Sequence, residues 1–209
     1  MNIKTTISTL PALRELFSPV NPRSALKELS LLDVHAKRFI NLSPFVVMSS
    51  YGADGRADTS PRGGDAGFVK VVDSGTLLIA DSPGNNRLDS LENIIATGQV
   101  GLLFMVPGVD ETLRVNGTAV LSTDESERKL CEDSRRIPKL AIRVSVHASY
   151  LHCARALMRS DLWNPDKHLD RSQLPSMGEM MHDQLVGKIS VDTAVETQAQ
   201  MLERYRQTL

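Results

Sequence analysis

The strongest constraint on this chain is the run of short apolar segments between Phe45 and Leu151, each closed by a turn signal. FVVMSSY, from Phe45, is rich in β-branched residues and is followed by the Gly/Asp sequence GADGR, which predicts a strand entering a hairpin. Further strands are expected over 57–60, 68–72, 76–80, 100–106, 111–121 and 139–151, bounded by Gly, Pro, Asp or Ser clusters. DSG at 73–75 and PGVD at 107–110 read as tight turns. One helix interrupts the series. Leu88, Leu91 and Ile95 share a face there, and Asn85 or Asn86 of PGNN is placed to cap it. Strands joined mostly by tight turns favour an antiparallel barrel over a doubly wound α/β sheet.

Helical patterns flank the strands, so the expected class is mainly β with flanking helices (α+β). Leu10, Leu13, Leu16 and Phe17 form one stripe; Leu31, Leu32, His35, Phe39 and Ile40 form a second, which predicts a packed His35. Ser122 and Glu125 have capping-box spacing ahead of a polar helix ending near Arg136. Another helix is expected over 152–159. Val191, Ala194, Val195, Gln198, Met201, Leu202 and Tyr205 make an amphipathic C-terminal stripe. The organisation is one domain: a helical extension over 1–44 packed on the barrel, the barrel over 45–165, and a loop and helix over 166–209.

Composition excludes several function classes. The 209 residues are enough to bury roughly 70% of the unfolded surface without a disulfide or metal staple. With 24 basic and 25 acidic residues, a general nucleic-acid coat is not expected, although a local anion pocket is compatible with that balance. The basic run Arg135, Arg136, Lys139 and Arg143 sits beside Glu132 and Asp133 and reads as a solvated face. No apolar stretch reaches the roughly 18 to 20 residues that span a bilayer, and the N-terminus lacks a signal-peptide core, so a cytoplasmic protein without a membrane partner is expected. The two cysteines are too few for a disulfide framework. Cys153 follows His152, but adjacent residues point apart, so Cys153 reads as a buried small hydrophobe rather than a nucleophile. No metal-ligand spacing occurs. A strand followed by GxGxxG, a GxxxxGK[ST] loop and GxSxG are all absent.

The stretch from Thr59 to Arg87 carries the most chemistry. In TSPRGGDAG, Pro61 fixes the backbone, and Gly63, Gly64 and Gly67 let it approach a ligand. Arg62 offers a planar fork of donors suited to phosphate. GNNR then sets Asn86 and Arg87 at a helix start, where free N–H groups and the helix dipole favour an anion. Two readings fit this spacing. Either the arginines and the helix start hold a dianionic phosphate, or SPRGG is a surface loop and Asn86 only a cap. In the second reading Asp65, Asp81 and Asp89 pair with the arginines.

TSPRGG, TLLIADSPGNNRLDSLENI and VGLLFMVPGVDETLRVNGTAVL, in that order and spacing, resemble the pyridoxamine 5'-phosphate oxidase-related family of FMN-binding split barrels. HCARALMRSDLW strengthens the likeness to a bacterial subgroup. The resemblance implies an antiparallel Greek-key split barrel that forms a homodimer, with FMN at the interface. It places the flavin phosphate on Arg62, Asn86 and Arg87. Ala80 and Asp81 would run beside the flavin, and Thr59, Ser60 and Gly63 would border its ring. Arg155, Arg159 and Trp163 are the residues a partner copy would contribute. An oxidoreductase acting on a small organic substrate is implied, with NAD(P)H a candidate electron donor and the catalytic residues unassigned. A non-catalytic flavin sensor, carrier or store is the alternative, and some split barrels take a deazaflavin instead. The family's WGG and RLHDR substrate segment is not matched, since the chain ends in ETQAQMLERYRQTL and its tryptophan, Trp163, lies upstream. The FMN site is therefore the part that carries over.

Overall fold

A computed structural model describes residues 6–134, 136–188 and 195–207. Seven strands form one antiparallel sheet: β1 Phe45–Tyr51, β2 Ala57–Gly63, β3 Lys70–Val71, β4 Thr76–Ala80, β5 Gln99–Met105, β6 Thr112–Ser122 and β7 Ala141–His152. Their order is β2-β1-β5-β6-β7-β4-β3, so the meander β5-β6-β7 returns beside β4, a Greek-key arrangement. β2 and β3 are the two edges and do not pair with each other, which leaves the sheet open rather than closed.

Alternation explains where the core sits. Val46 and Met48 of β1, Leu102 and Phe104 of β5, Leu113 and Val115 of β6, Val144 and Val146 of β7, and Leu77 and Ile79 of β4 meet in one buried cluster. Leu32 also joins it, as do Ala36 and Ile40 of helix α3, Val34–Leu42, and Ile94 of helix α4, Asp89–Thr97. These inner faces surround the main apolar interior, and Leu78, Cys131 and Ala141 form a second, smaller buried cluster. A β-bulge between Asn116 and Gly117 bends β6 against β7. A methyl group on Gly117 would collide with the Ser145 carbonyl, so this position has no room for a side chain.

Strand β2 runs through Pro61 to Gly63, three residues beyond the expected end, because an edge strand tolerates a residue that lacks a donor. The segment expected over 68–72 shrinks to two residues, Lys70–Val71, after a turn in which Gly67 takes a φ of 80° and the Phe68 N–H donates to Asp65.

Several helical expectations need correction. Helices α1, Leu10–Glu15, and α2, Pro22–Leu26, bury none of their residues, and Leu10, Leu16 and Phe17 are exposed. His35 is exposed; the buried positions of α3 are Ala36 and Ile40. On α4 the buried residues are Ser90 and Ile94, with Leu88 and Ile95 in solvent. Helix α5, Glu125–Leu130, is capped by Asp124, which accepts from the N–H groups of Ser126 and Glu127, and it ends well before Arg136. Helix α6, Arg155–Ser160, starts later than expected because β7 continues to His152. Toward the C-terminus, helices α7, Met177–Leu185, and α8, Gln198–Arg206, each carry a capping box. Met201 of α8 is buried, while Val191, Ala194 and Arg135 lie outside the described residues. No described helix is long and apolar enough to cross a membrane.

Candidate functional site

The side chains of β2 divide into two sets. Asp58, Ser60 and Arg62 are half-buried on one face, and Ala57, Thr59, Pro61 and Gly63 are exposed on the other. Ser60 and Arg62 thus face the start of α4, whereas Thr59 and Gly63 do not. The Thr59 hydroxyl lies 3.4 Å from that of Ser49, on the outward side of the sheet.

Ser90, the second residue of α4, binds the first set together. Its Oγ donates to Asp58 Oδ2 at 2.9 Å, lies 2.9 Å from Ser60 Oγ, and accepts from Arg62 Nη2 at 3.2 Å. Because the single Ser90 proton goes to Asp58, Ser60 is the donor to Ser90. Arg62 Nη1 donates to the Pro61 carbonyl at 2.9 Å. Burial pulls the Arg62 guanidinium below its ordinary range, and the charges of Asp58 and Asp81 pull it partly back.

Arg87 stands on the same helix start from the solvent side. It donates from Nε to Asp89 Oδ2 at 2.8 Å, and Asp89 is the first residue of α4. That hydrogen bond raises the arginine's pKa and lowers the aspartate's. The charge of Asp58 acts on both arginines. The two guanidinium groups therefore flank one helix turn, Arg62 through Ser90 and Arg87 through Asp89.

The expected asparagine cap is not formed. Asn85 Oδ1 accepts from the Arg87 N–H at 3.0 Å, a turn that closes two residues ahead of the helix. Asn86 and Leu88 both take left-handed backbone conformations, with φ of 58° and 60°. Leu88 occupies the N-cap and offers no side-chain acceptor, so the first N–H groups of α4 keep no side-chain cap.

Ala80 and Asp81 stand at the end of β4. The Asp81 N–H donates to the Leu140 carbonyl at 3.1 Å, and its own carbonyl accepts from Arg136 Nη2 at 2.6 Å, which leaves the carboxylate to act on Arg62. Arg155, Arg159 and Trp163 lie elsewhere. Arg159 Nε donates to the Arg155 carbonyl at 3.1 Å, and Trp163 Nε1 donates to the Val109 carbonyl at 3.0 Å. Among the described residues no hydrogen bond or ion pair links these three to Arg62 or Arg87. Cys153 is exposed, not buried as expected; Cys131 is the buried cysteine.

Sequence reasoning missed Asp58 and Ser90. Asp58 was within reach, since counting back from Arg62 in steps of two lands on Ser60 and then Asp58. Ser90 carried no signal of its own.

The family model described as pyridoxamine 5'-phosphate oxidase matches residues 32–153, more than half of the chain. No curated protein matches it. Among solved structures, HupZ from Group A Streptococcus is 18% identical, with a TM-score of 0.48 over 56% of this chain and 91% of that one. An FMN-binding protein from Syntrophomonas wolfei is 10% identical, with a TM-score of 0.43 over 56% of this chain and 84% of that one. The FAD-binding protein from Mycobacterium smegmatis is 13% identical, with a TM-score of 0.41 over 59% of this chain and 98% of that one. The matched span runs from Leu32 into the residue after β7 and takes in every strand and the whole Arg62–Ser90–Arg87 arrangement, so the chain belongs to the pyridoxamine 5'-phosphate oxidase-related family.

Proposed function

We propose that this protein binds FMN and acts as an oxidoreductase on a small organic substrate. The observation that carries the reading is the convergence of Arg62 and Arg87 on the uncapped first turn of α4. The donor set suits a phosphate group. Arg62 takes part in no ion pair among the described residues and is partly desolvated, so its charge is strong and largely unspent. Among the described residues the Arg87 side chain is held by one exposed pair, with Asp89, a contact that a phosphate can replace at low cost. The free N–H groups of α4 add the positive end of a helix dipole. Asp58, Asp81 and Asp89 oppose an anion; Ser90 holds Asp58 by a hydrogen bond, so that carboxylate does not close directly on Arg62.

When bound, the flavin supplies the redox chemistry, and the protein supplies binding, orientation and the local field. Arg62, Asn86 and Arg87 hold the phosphate in this reading, with Ser60 beside them and Ala80 and Asp81 along the flavin. Thr59 and Gly63 lie across the β2 edge, where they would border a ring that passes around it. A second copy would complete the site with Arg155, Arg159 and Trp163. The exposed apolar residues at the start of α1 and just beyond its end, Leu10, Leu16 and Phe17, support an association of this kind.

The test is to measure flavin content and FMN affinity in Arg62→Ala, Arg87→Ala and the double variant, with circular dichroism to verify the fold. The double variant should retain no flavin. A folded double variant that binds FMN as tightly as the parent protein overturns the reading. Stopped-flow reduction by NADH and NADPH, with reoxidation by added acceptors, then distinguishes an enzyme from a flavin carrier. A spectrum of the extracted ligand distinguishes FMN from a deazaflavin.

A further inference from the structure

Asp58 is a half-buried carboxylate inside the anion site on α4. Its Oδ2 accepts from Ser90 Oγ at 2.9 Å, and the same hydroxyl accepts from Arg62 Nη2 at 3.2 Å. A carboxylate and the guanidinium that faces the phosphate thus lie one hydroxyl apart. The charge of Asp58 also reaches Arg87.

The surroundings of Asp58 do not neutralise it. It enters no ion pair among the described residues. Opposite it on β1 is Ser50, which is buried and accepts from Asn93 Nδ2 at 3.1 Å. Arg56, two residues ahead of it, pairs with Asp54 in solvent. On α4, Asp89 is bonded to Arg87. At the end of β4 the charge of Asp81 acts on Arg62, and Arg136 meets the Asp81 carbonyl rather than its carboxylate. Arg62 and Arg87 therefore face three carboxylates, Asp58, Asp81 and Asp89, with Arg136 at the margin.

A phosphate monoester brings up to two more negative charges, since its second proton leaves near about pH 6. In a half-buried site, like charges held this close repel, and the repulsion is relieved when one of them takes up a proton. Asp58 is the group that this bears on. Asp89 has a cation of its own, and no hydrogen bond joins the Asp81 side chain to either arginine among the described residues.

We propose that FMN binds with uptake of one proton from solvent, held between Asp58 and the flavin phosphate, so that Asp58 makes flavin retention depend on pH. The inference rests on the reading that Arg62 and Arg87 hold the phosphate. Two acids that share a proton titrate as a pair. Above the range in which the pair gives up its proton, the carboxylate opposes the phosphate and binding is weaker. Below that range the opposition is gone, so affinity rises as pH falls, until protonation of the phosphate itself loosens its hold on the arginines.

The experiment measures the FMN affinity of the full-length protein and of Asp58→Asn between about pH 5 and 8 at constant ionic strength. Quenching of flavin fluorescence reports binding, and circular dichroism verifies the fold. Comparing the two proteins cancels the titration of the phosphate. At about pH 8 Asp58→Asn should bind FMN about tenfold more tightly than the parent protein, and at about pH 5 the two should agree within about threefold. Equal affinities throughout, or a difference that does not change with pH, overturn the proposal and leave FMN binding intact. Weaker binding by Asp58→Asn at about pH 8 also overturns it, because the carboxylate would then be a ligand and not an opposing charge. If neither protein binds FMN at any pH, the reading of the arginine pair fails first, and this proposal with it. Asp58→Ala is read in the same way if the asparagine variant does not fold.

Discussion

Ser90 Oγ donates to Asp58 Oδ2 at 2.9 Å while accepting from Arg62 Nη2 at 3.2 Å, so one buried hydroxyl stands between a carboxylate and a guanidinium of opposite charge. The arrangement sets the aim of Arg62. Without the hydroxyl, Asp58 and Arg62 would be free to pair directly, and the guanidinium would be spent on the protein. Ser90→Ala should therefore weaken FMN binding about tenfold, equivalent to about 1.4 kcal/mol. Isothermal titration of the apoprotein with FMN checks this, and unchanged affinity would show that Ser90 is only a packing residue.

Leu88 sits at a φ of 60°, in a region that a branched side chain enters at a cost, and its side chain is largely exposed. Leu88→Asn places a residue that tolerates this backbone and sacrifices little apolar burial. It should stabilise the fold by about 1 kcal/mol, measured by urea unfolding. A loss of stability would mean that the exposed leucine is covered in the native assembly.

Gly117 closes the bulge that bends β6, with the Ser145 carbonyl where a Cβ would go. Gly117→Ala should cost about 1–3 kcal/mol, whereas Gly84→Ala, with open space around the added methyl, should be nearly neutral. Paired denaturation curves test the contrast. Equal effects would place the strain elsewhere.

His152 is held below its ordinary pKa of 6.5 by burial and by the positive charges of Lys27 and Arg114. At pH values below 6.5 the unfolded chain takes up a proton that the folded chain resists, so this group's contribution to stability declines as pH falls through that range. His152→Gln should flatten the pH dependence of unfolding between about pH 5 and 7. An unaltered slope would assign the acid sensitivity to other groups.

The strand series was legible from residues 45 to 151 because half-buried antiparallel strands write their burial into a period of two. Phe45–Tyr51 and Gln99–Met105 are direct instances. The nearness of Arg62 and Arg87 to one helix start was also legible, from TSPRGG and GNNR, and the pairing of Arg87 with Asp89 was among the readings that spacing allowed. The helix cap was not. Asn85 and Asn86 have the right chemistry, but the turn they make closes two residues early, and the geometry is set by left-handed backbone at Asn86 and Leu88. Exposure was poorly predicted for His35 and Cys153, because a stripe on a helix or the end of a strand does not say which surfaces the rest of the chain covers.

Local pattern thus determined which segments are strands, and residue chemistry determined which side chains suit a phosphate. Both are properties of near neighbours in the chain. Only the tertiary structure decided that Ser90 of α4 lies against Asp58 and Arg62 of β2, and that Lys27 reaches the ring of Tyr150. Those contacts join residues from 28 to 123 positions apart. They depend on strand order and helix placement, which follow from packing the whole core and not from any short stretch of sequence.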